Sequence, residues 1–226
     1  MRKYFLYFLL LLIPVLSSSG SGNPLPVIED YQNIYTSLNL SQIGLSKEVF
    51  LLALKGYKKL ESIGKLQNAA ILTIADFSQS SKKKRLYVID LVHKTLLFNT
   101  YVAHGKNTGE EYAKKFSNVS GSYQSSLGFY VTKEQISGAS VGLSLILEGM
   151  EKGFNDNAIK REIIIHGAAY ATESFIRKTG RLGRSFGCPS LPPDLIKPVV
   201  SAIKEGTCLF IYQKDDKYIS HSALLN

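Results

Sequence analysis

Two residue types in this chain of 226 residues could do nucleophilic chemistry together: a cysteine in an open loop and a histidine at a strand end. Cys188 lies in the stretch GRLGRSFGCPSL, between Gly187 and Pro189. A core thiol would suit an apolar run better, so this setting points to a nucleophile. An unassisted thiol, with a pKa of ~8.5, is only a few per cent thiolate at neutral pH. The reading therefore requires a base or a nearby positive charge.

The chain has four histidines. His93 falls in a polar turn, LVHKT, and His221 in the C-terminal tail, and both read as surface residues. His104 and His166 share one local pattern, YVAHG and IIIHG, in which an apolar strand ends in His-Gly. Either imidazole would sit at a strand mouth, where the simpler reading is a hydrogen bond to a turn. Convergence of such a strand end with a glycine-flanked thiol favours a base. Gly187 can turn backbone N–H groups toward a developing oxyanion, each worth ~3 kcal/mol in the transition state. Arg184 can favour the thiolate, hold a substrate carboxylate or simply face solvent. Two cysteines without CxxC or HxxxH spacing fit zinc poorly, so no metal is expected. Neither a phosphate-cradling loop nor a dinucleotide fingerprint is present, so no cofactor is expected.

The elements that must position these groups are mostly strands. Ile71–Phe77, Leu86–Leu91, Leu96–Ala103, Gly128–Thr132, Leu143–Leu147, Glu162–His166 and Thr207–Tyr212 are short runs rich in β-branched, aromatic and other apolar residues. Ahead of them, Ser46 can cap a helix with the apolar face Phe50, Ala53, Leu54, Tyr57 and Leu60. A further helix is expected around Val27–Leu38. Only one late helix is expected, Val199–Lys204, with Pro198 in its first turn and Gly206 ending it. The fold class is α+β, mainly β, with a helical N-terminal segment.

Composition and the N-terminus bound the setting. Hydrophobic residues make up 45% and charged residues 20%, which describes an ordinary globule and excludes disorder. Arg2 and Lys3 precede the apolar run Tyr4–Leu16, and Ser17–Gly20 follow it. This is the pattern of a secretory signal peptide, and the run is shorter than the ~20 residues of a spanning helix. The formal charge of +9 falls by two with that leader. The densest basic run, Lys82 to Arg85, reads as a solvated hairpin tip. No aromatic interleaving points to nucleic acid. In an oxidising compartment two cysteines suggest a disulfide, but Cys208 lies in TCLFIY, which reads as a buried strand with a free thiol.

The pairing of Ile-His166-Gly167 with Ser185-Phe186-Gly187-Cys188 resembles the L,D-transpeptidases of bacterial cell walls, the YkuD-like domain. The murein L,D-transpeptidase catalytic domain branch is closer still, through AHGKNTG, FSN, SSLGFY, IIIHGAAY and GRLGRSFGCPSL. The likeness runs from about Leu45 to Tyr212. It implies an L,D-transpeptidase-like β-sandwich core, with Cys188 as nucleophile and His166 as its base. A backbone carbonyl near Gly167 would orient the imidazole, and Gly187 and Cys188 would supply oxyanion N–H groups. His104, Ser126, Tyr170, Arg184, Ser185 and Phe186 become candidates for substrate binding. Phe186 departs from the better-known branch, which has histidine there, and Pro189 and Ser190 stand where that branch has Asn or Arg.

The implied organisation is a signal peptide over 1–19, a linker and helical segment over 20–66, a catalytic domain over 67–213 and a tail over 214–226. The implied protein is exported to the periplasm or cell wall and acts on peptidoglycan stem peptides. It would have no stable membrane span after signal cleavage. Two alternatives remain at this point. One is an L,D-carboxypeptidase with water as acceptor. The other is a non-catalytic wall-binding module in which a disulfide ties Cys188 to Cys208.

Overall fold

The computed structural model describes residues 28–139 and 142–226, so the signal-peptide reading lies outside the described residues. Helix α1 (Ile28–Ser37) leads into α2 (Lys47–Ser62), whose N-cap Ser46 accepts from the Val49 N–H at 3.2 Å. Such a cap is worth about 1 kcal/mol. The face expected from the periodicity is buried: Phe50, Ala53, Leu54, Tyr57 and Leu60 all join the main core. At Gly56 the helix meets the sheet so closely that a Cβ would lie 2.1 Å from the Phe129 ring. Any side chain there would push the helix off its seat.

The strands are β1 (Ile71–Asp76), β2 (Leu86–Asp90), β3 (Thr95–Thr100), β4 (Gly128–Gly138), β5 (Gly142–Gly149), β6 (Ile164–Gly167), β7 (Ser190–Leu191) and β8 (Cys208–Tyr212). They form one eight-stranded sheet in the order β3-β2-β1-β8-β4-β5-β6-β7. The fold is mainly β, with a few helices around it. At the centre β8 runs parallel to β1 and antiparallel to β4. Both β1 and β8 are buried along their whole length, which is why they read as continuous apolar runs without alternation. Phe129 and Phe210 stack across the β4–β8 pair with ring centroids 4.1 Å apart, under α2.

Helical content in the second half exceeds the expectation. Helices α3 (Glu173–Thr179) and α5 (Asp216–His221) join α4 (Pro193–Ile203). Pro193, not Pro198, occupies the first turn of α4, and Pro198 lies inside the helix. The tail over 214–226 is folded onto the body. Tyr218 of α5 is buried and donates to Glu151 Oε2 at 2.8 Å, and Ser222 Oγ donates to the other oxygen of that carboxylate. Burial raises the Glu151 pKa, and three hydrogen bonds to its oxygens oppose the rise. The basic run also departs from expectation: Lys82, Lys83 and Lys84 are exposed, but Arg85 is fully buried.

Candidate active site

The site lies at the β6–β7 edge of the sheet. The residues before it, Ile163 and Ile165, are buried and carry the strand into the core, so His166 emerges at its end. β7 pairs parallel to β6 with Ser190 opposite His166 and Leu191 opposite Gly167. Cys188 stands two residues before Ser190, so this pairing sets the thiol and the imidazole on neighbouring strand ends.

Each has its own partner. The Cys188 thiol donates to the Glu162 carbonyl at 3.6 Å. His166 Nδ1 lies 3.1 Å from the Gly167 carbonyl, and a carbonyl only accepts, so Nδ1 carries the hydrogen. Nε2 is then the free lone pair, and it accepts from Ser190 Oγ at 3.0 Å. Tyr170 Oη lies 3.0 Å from the same Ser190 oxygen. From the sequence Ser190 stands out only as a departure from the better-known branch, two residues past the cysteine, and not as a site residue.

The loop carrying Cys188 is pinned by hydroxyls. Ser185 Oγ accepts from the Gly187 N–H at 3.1 Å and donates to the Cys188 carbonyl at 2.6 Å. Ser125 Oγ donates to the Gly187 carbonyl at 2.9 Å. Gly187 has φ 130, and a Cβ there would meet the Gln124 carbonyl at 3.0 Å, so both the conformation and the space require glycine. One expectation is corrected here. The Gly187 N–H is committed to Ser185, so it does not face the cleft as an oxyanion donor.

Electrostatics set both groups neutral at rest. Burial raises the Cys188 pKa, offset in part by the Ile164 N–H, by Arg161 and by the cysteine's own N–H. Burial lowers the His166 pKa, against the Gly167 carbonyl. Arg161 is the positive charge that acts on the thiol, and it is not the arginine expected. Its guanidinium donates to the Ser117 and Gln124 carbonyls and to the Ser122 and Ser126 hydroxyls, all neutral oxygens. Nη2 lies 3.4 Å from the place a Gly187 Cβ would occupy. In the sequence it follows Lys160 and resembles a solvated charge pair.

Arg184, the arginine expected near the thiol, instead bonds Glu110 at 2.5 Å and the Lys106 carbonyl at 3.1 Å. Glu110 also takes Arg181 at 2.6 Å. Ser126 is 3% exposed and donates to the Ser117 carbonyl, so it staples a loop and does not line a wall. His104 is 1% exposed, with Nδ1 2.8 Å from Arg85 Nη2 and Nε2 3.3 Å from the Gly109 carbonyl. It is an internal strut, a second correction to the expected cleft wall. Phe186 is 68% exposed, its ring beside Tyr123, and Lys106 Nζ lies over both rings. Cys188 and Cys208 are both free thiols, and Cys208 is fully buried in β8, so the disulfide alternative does not hold. Among the described residues no three metal-ligating side chains come together.

A mainly β body that carries a thiol and an imidazole on adjoining strand ends is therefore the class to which this chain belongs. The family model for the L,D-transpeptidase catalytic domain matches residues 41–212, so the chain is a member of that family. No curated protein matches it significantly. Among solved structures, similarity is found to an L,D-transpeptidase from Mycobacterium smegmatis, with 13% identity, TM-score 0.39 and coverage of 64% of this chain and 59% of that one. L,D-transpeptidase 3 from Mycobacterium tuberculosis shares 13% identity at TM-score 0.39, over 64% of this chain and 61% of that one. An L,D-transpeptidase from Stackebrandtia nassauensis shares 13% identity at TM-score 0.39, over 82% of this chain and 77% of that one.

Proposed function

We propose that this protein is an exported peptidoglycan L,D-transpeptidase using Cys188 as nucleophile and His166 as base. The observation that carries the reading is the β6–β7 pairing, which brings both residues of the family motif to one sheet edge. His166 Nε2, the ring nitrogen without hydrogen, takes the thiol proton. The Cys188 sulfur attacks the carbonyl between the L-centre of diaminopimelate and the terminal D-alanine of a tetrapeptide stem. The carbon–nitrogen bond breaks, a thioester forms, and the departing D-alanine amine takes the proton back from His166. The side-chain amine of a second stem then attacks the thioester, giving its proton through His166 to the leaving sulfur. Water in place of that amine gives the L,D-carboxypeptidase reaction, and no cofactor enters either half.

Arg161 supports the first step, since an uncompensated guanidinium favours the thiolate. Export to the periplasm or cell wall is the setting in which this substrate is met. Among the described residues no helix is long and apolar enough to cross a membrane. Mass spectrometry of products from a defined disaccharide-tetrapeptide tests the reading. D-alanine and a cross-linked dimer are expected from the wild type and neither from Cys188→Ala. D-alanine with only a trimmed tripeptide would assign the carboxypeptidase reaction, and an intact substrate would reject both.

A further inference from the structure

His166 is held from two sides by partners of different chemistry. On Nδ1 the Gly167 carbonyl, at 3.1 Å, can only accept. On Nε2 the Ser190 hydroxyl, at 3.0 Å, can donate or accept, and behind it the Tyr170 hydroxyl at 3.0 Å can do the same. Ser190 is fully buried, and its backbone is fixed twice over: it exchanges N–H···O bonds with Ala103 at 2.9 and 3.2 Å and pairs with His166 in the sheet. Tyr170 is fixed by the loop that carries the nucleophile. The Gly183 N–H donates to the Tyr170 carbonyl at 2.8 Å, and a Cβ at Gly183 would lie 2.4 Å from the Tyr170 Cβ. Neither hydroxyl is placed by chance rotation on a mobile surface.

We infer that Ser190 and Tyr170 form a reversible two-hydroxyl chain that positions His166 as a base, a role that rests on the proposed assignment of His166. At rest Tyr170 donates to Ser190 and Ser190 donates to Nε2, while the Gly167 carbonyl holds the hydrogen on Nδ1. When Nε2 gains the thiol proton, both hydroxyl hydrogens rotate. Nε2–H then donates to Ser190 Oγ, and Ser190 donates to Tyr170 Oη. Ser190 Oγ keeps its place, and both states of the imidazole keep a partner. A backbone carbonyl on Nε2 would serve the charged ring alone. A hydroxyl serves both, so the proton can arrive and leave within one turnover. Ser190 and Tyr170 are positioning residues here, since neither needs to touch the reacting carbonyl.

The test combines turnover with the ¹⁵N signals of His166, identified by their absence in His166→Ala. Ser190→Ala keeps the backbone pairings and removes the hydroxyl. We expect turnover to fall roughly tenfold with KM little changed, about what one lost hydrogen bond allows. The Nε2 ¹⁵N signal of His166 should shift as that nitrogen loses its hydrogen-bond partner, while the hydrogen stays on Nδ1 against the Gly167 carbonyl. Tyr170→Phe, which keeps the packed ring, should lose roughly threefold in turnover, since the chain is shortened without leaving Nε2 bare. An unchanged Nε2 signal in Ser190→Ala overturns the inference at any level of activity, and so does wild-type turnover with a shifted signal. Wild-type behaviour of Tyr170→Phe in both measurements overturns the two-hydroxyl form. Undiminished turnover in His166→Ala would instead sink the underlying assignment of the base, and the ¹⁵N readout keeps the two failures apart.

Discussion

His104 and His166 end two strands in the same letters, apolar-His-Gly, and the fold uses them in opposite ways. His104 is 1% exposed and wedged between the Arg85 guanidinium and the Gly109 carbonyl, against the edge of the Phe77 ring. Burial, and then the Arg85 charge, push its pKa down to about 3. A ring held neutral that firmly, with Nδ1 facing a guanidinium that can only donate, cannot cycle a proton near neutral pH. His166 is half-buried at the sheet edge, its pKa lowered only by burial and partly restored by a carbonyl. The difference teaches that a strand-end histidine can serve as the base proposed here only where the partners of its ring suit both protonation states and no fixed cation opposes the charged form. Arg85 denies His104 both conditions.

The largest expected effect separates the two rings. His166→Ala should lose turnover by ~10²–10⁴-fold, the usual contribution of a general base, with a thermal midpoint close to wild type. His104→Ala should do the reverse. Turnover per folded molecule should hold while stability drops by ~1–3 kcal/mol, because the buried Arg85 loses a hydrogen-bond partner. Comparable turnover losses in two well-folded variants would erase the distinction.

pH sharpens the comparison next. The folded-state pKa of His104 lies below its ordinary value of 6.5, at about 3, so the unfolded chain binds its proton first. The stability that His104 contributes is therefore complete above about pH 6.5 and is lost as pH falls from there toward 3. Urea midpoints measured across that window should decline in the wild type and decline less in His104→Gln, which has no proton to gain. Parallel curves for the two proteins would remove His104 as the source.

A smaller effect concerns the charge beside the nucleophile. Burial raises the Cys188 pKa and Arg161 opposes it, so Arg161→Met should move the pH profile of thiol alkylation to higher pH. Arg184→Met should leave that profile in place, since its guanidinium is spent on Glu110. A shift in the Arg184 variant and none in the Arg161 variant would reverse the assignment of the two arginines.

The two cysteines extend the contrast between a working position and a buried one. Cys208→Ser puts a hydroxyl at the fully buried start of β8, at a cost of ~1–3 kcal/mol if it finds no partner, and should leave turnover intact. A stably folded Cys208→Ser that has lost all turnover would contradict the division of roles. The smallest change is expected from Phe186→Ala. At 68% exposure the ring lies outward on Tyr123 and Lys106. Stability should change by no more than about 0.5 kcal/mol, with acylation and the share of hydrolysis close to wild type. A large rise in hydrolysis would mean that the ring folds over the thioester once substrate is bound.

What the sequence determined by itself is local. The Ser46 cap, the apolar face of α2, the central strands and the glycine demanded at 187 follow from propensity, periodicity and backbone sterics within a few residues. The chemical types at the site were legible for the same reason: Cys188 stands in a loop unsuited to a core thiol, and His166 closes an apolar strand. The resemblance already favoured His166 over His104, but tertiary structure supplied the physical reason, which depends on Arg85, nineteen positions from His104 in the chain. It turned Arg161 inward onto carbonyls and hydroxyls some 35 to 44 positions away, where the sequence shows only an ordinary basic pair. It set Ser190 against His166 through a parallel pairing across 24 positions. Periodicity reports which face of an element is buried, but not which distant element covers it. Hydrogen-bond partners and desolvation, the terms that separate the two histidines, belong to that covering.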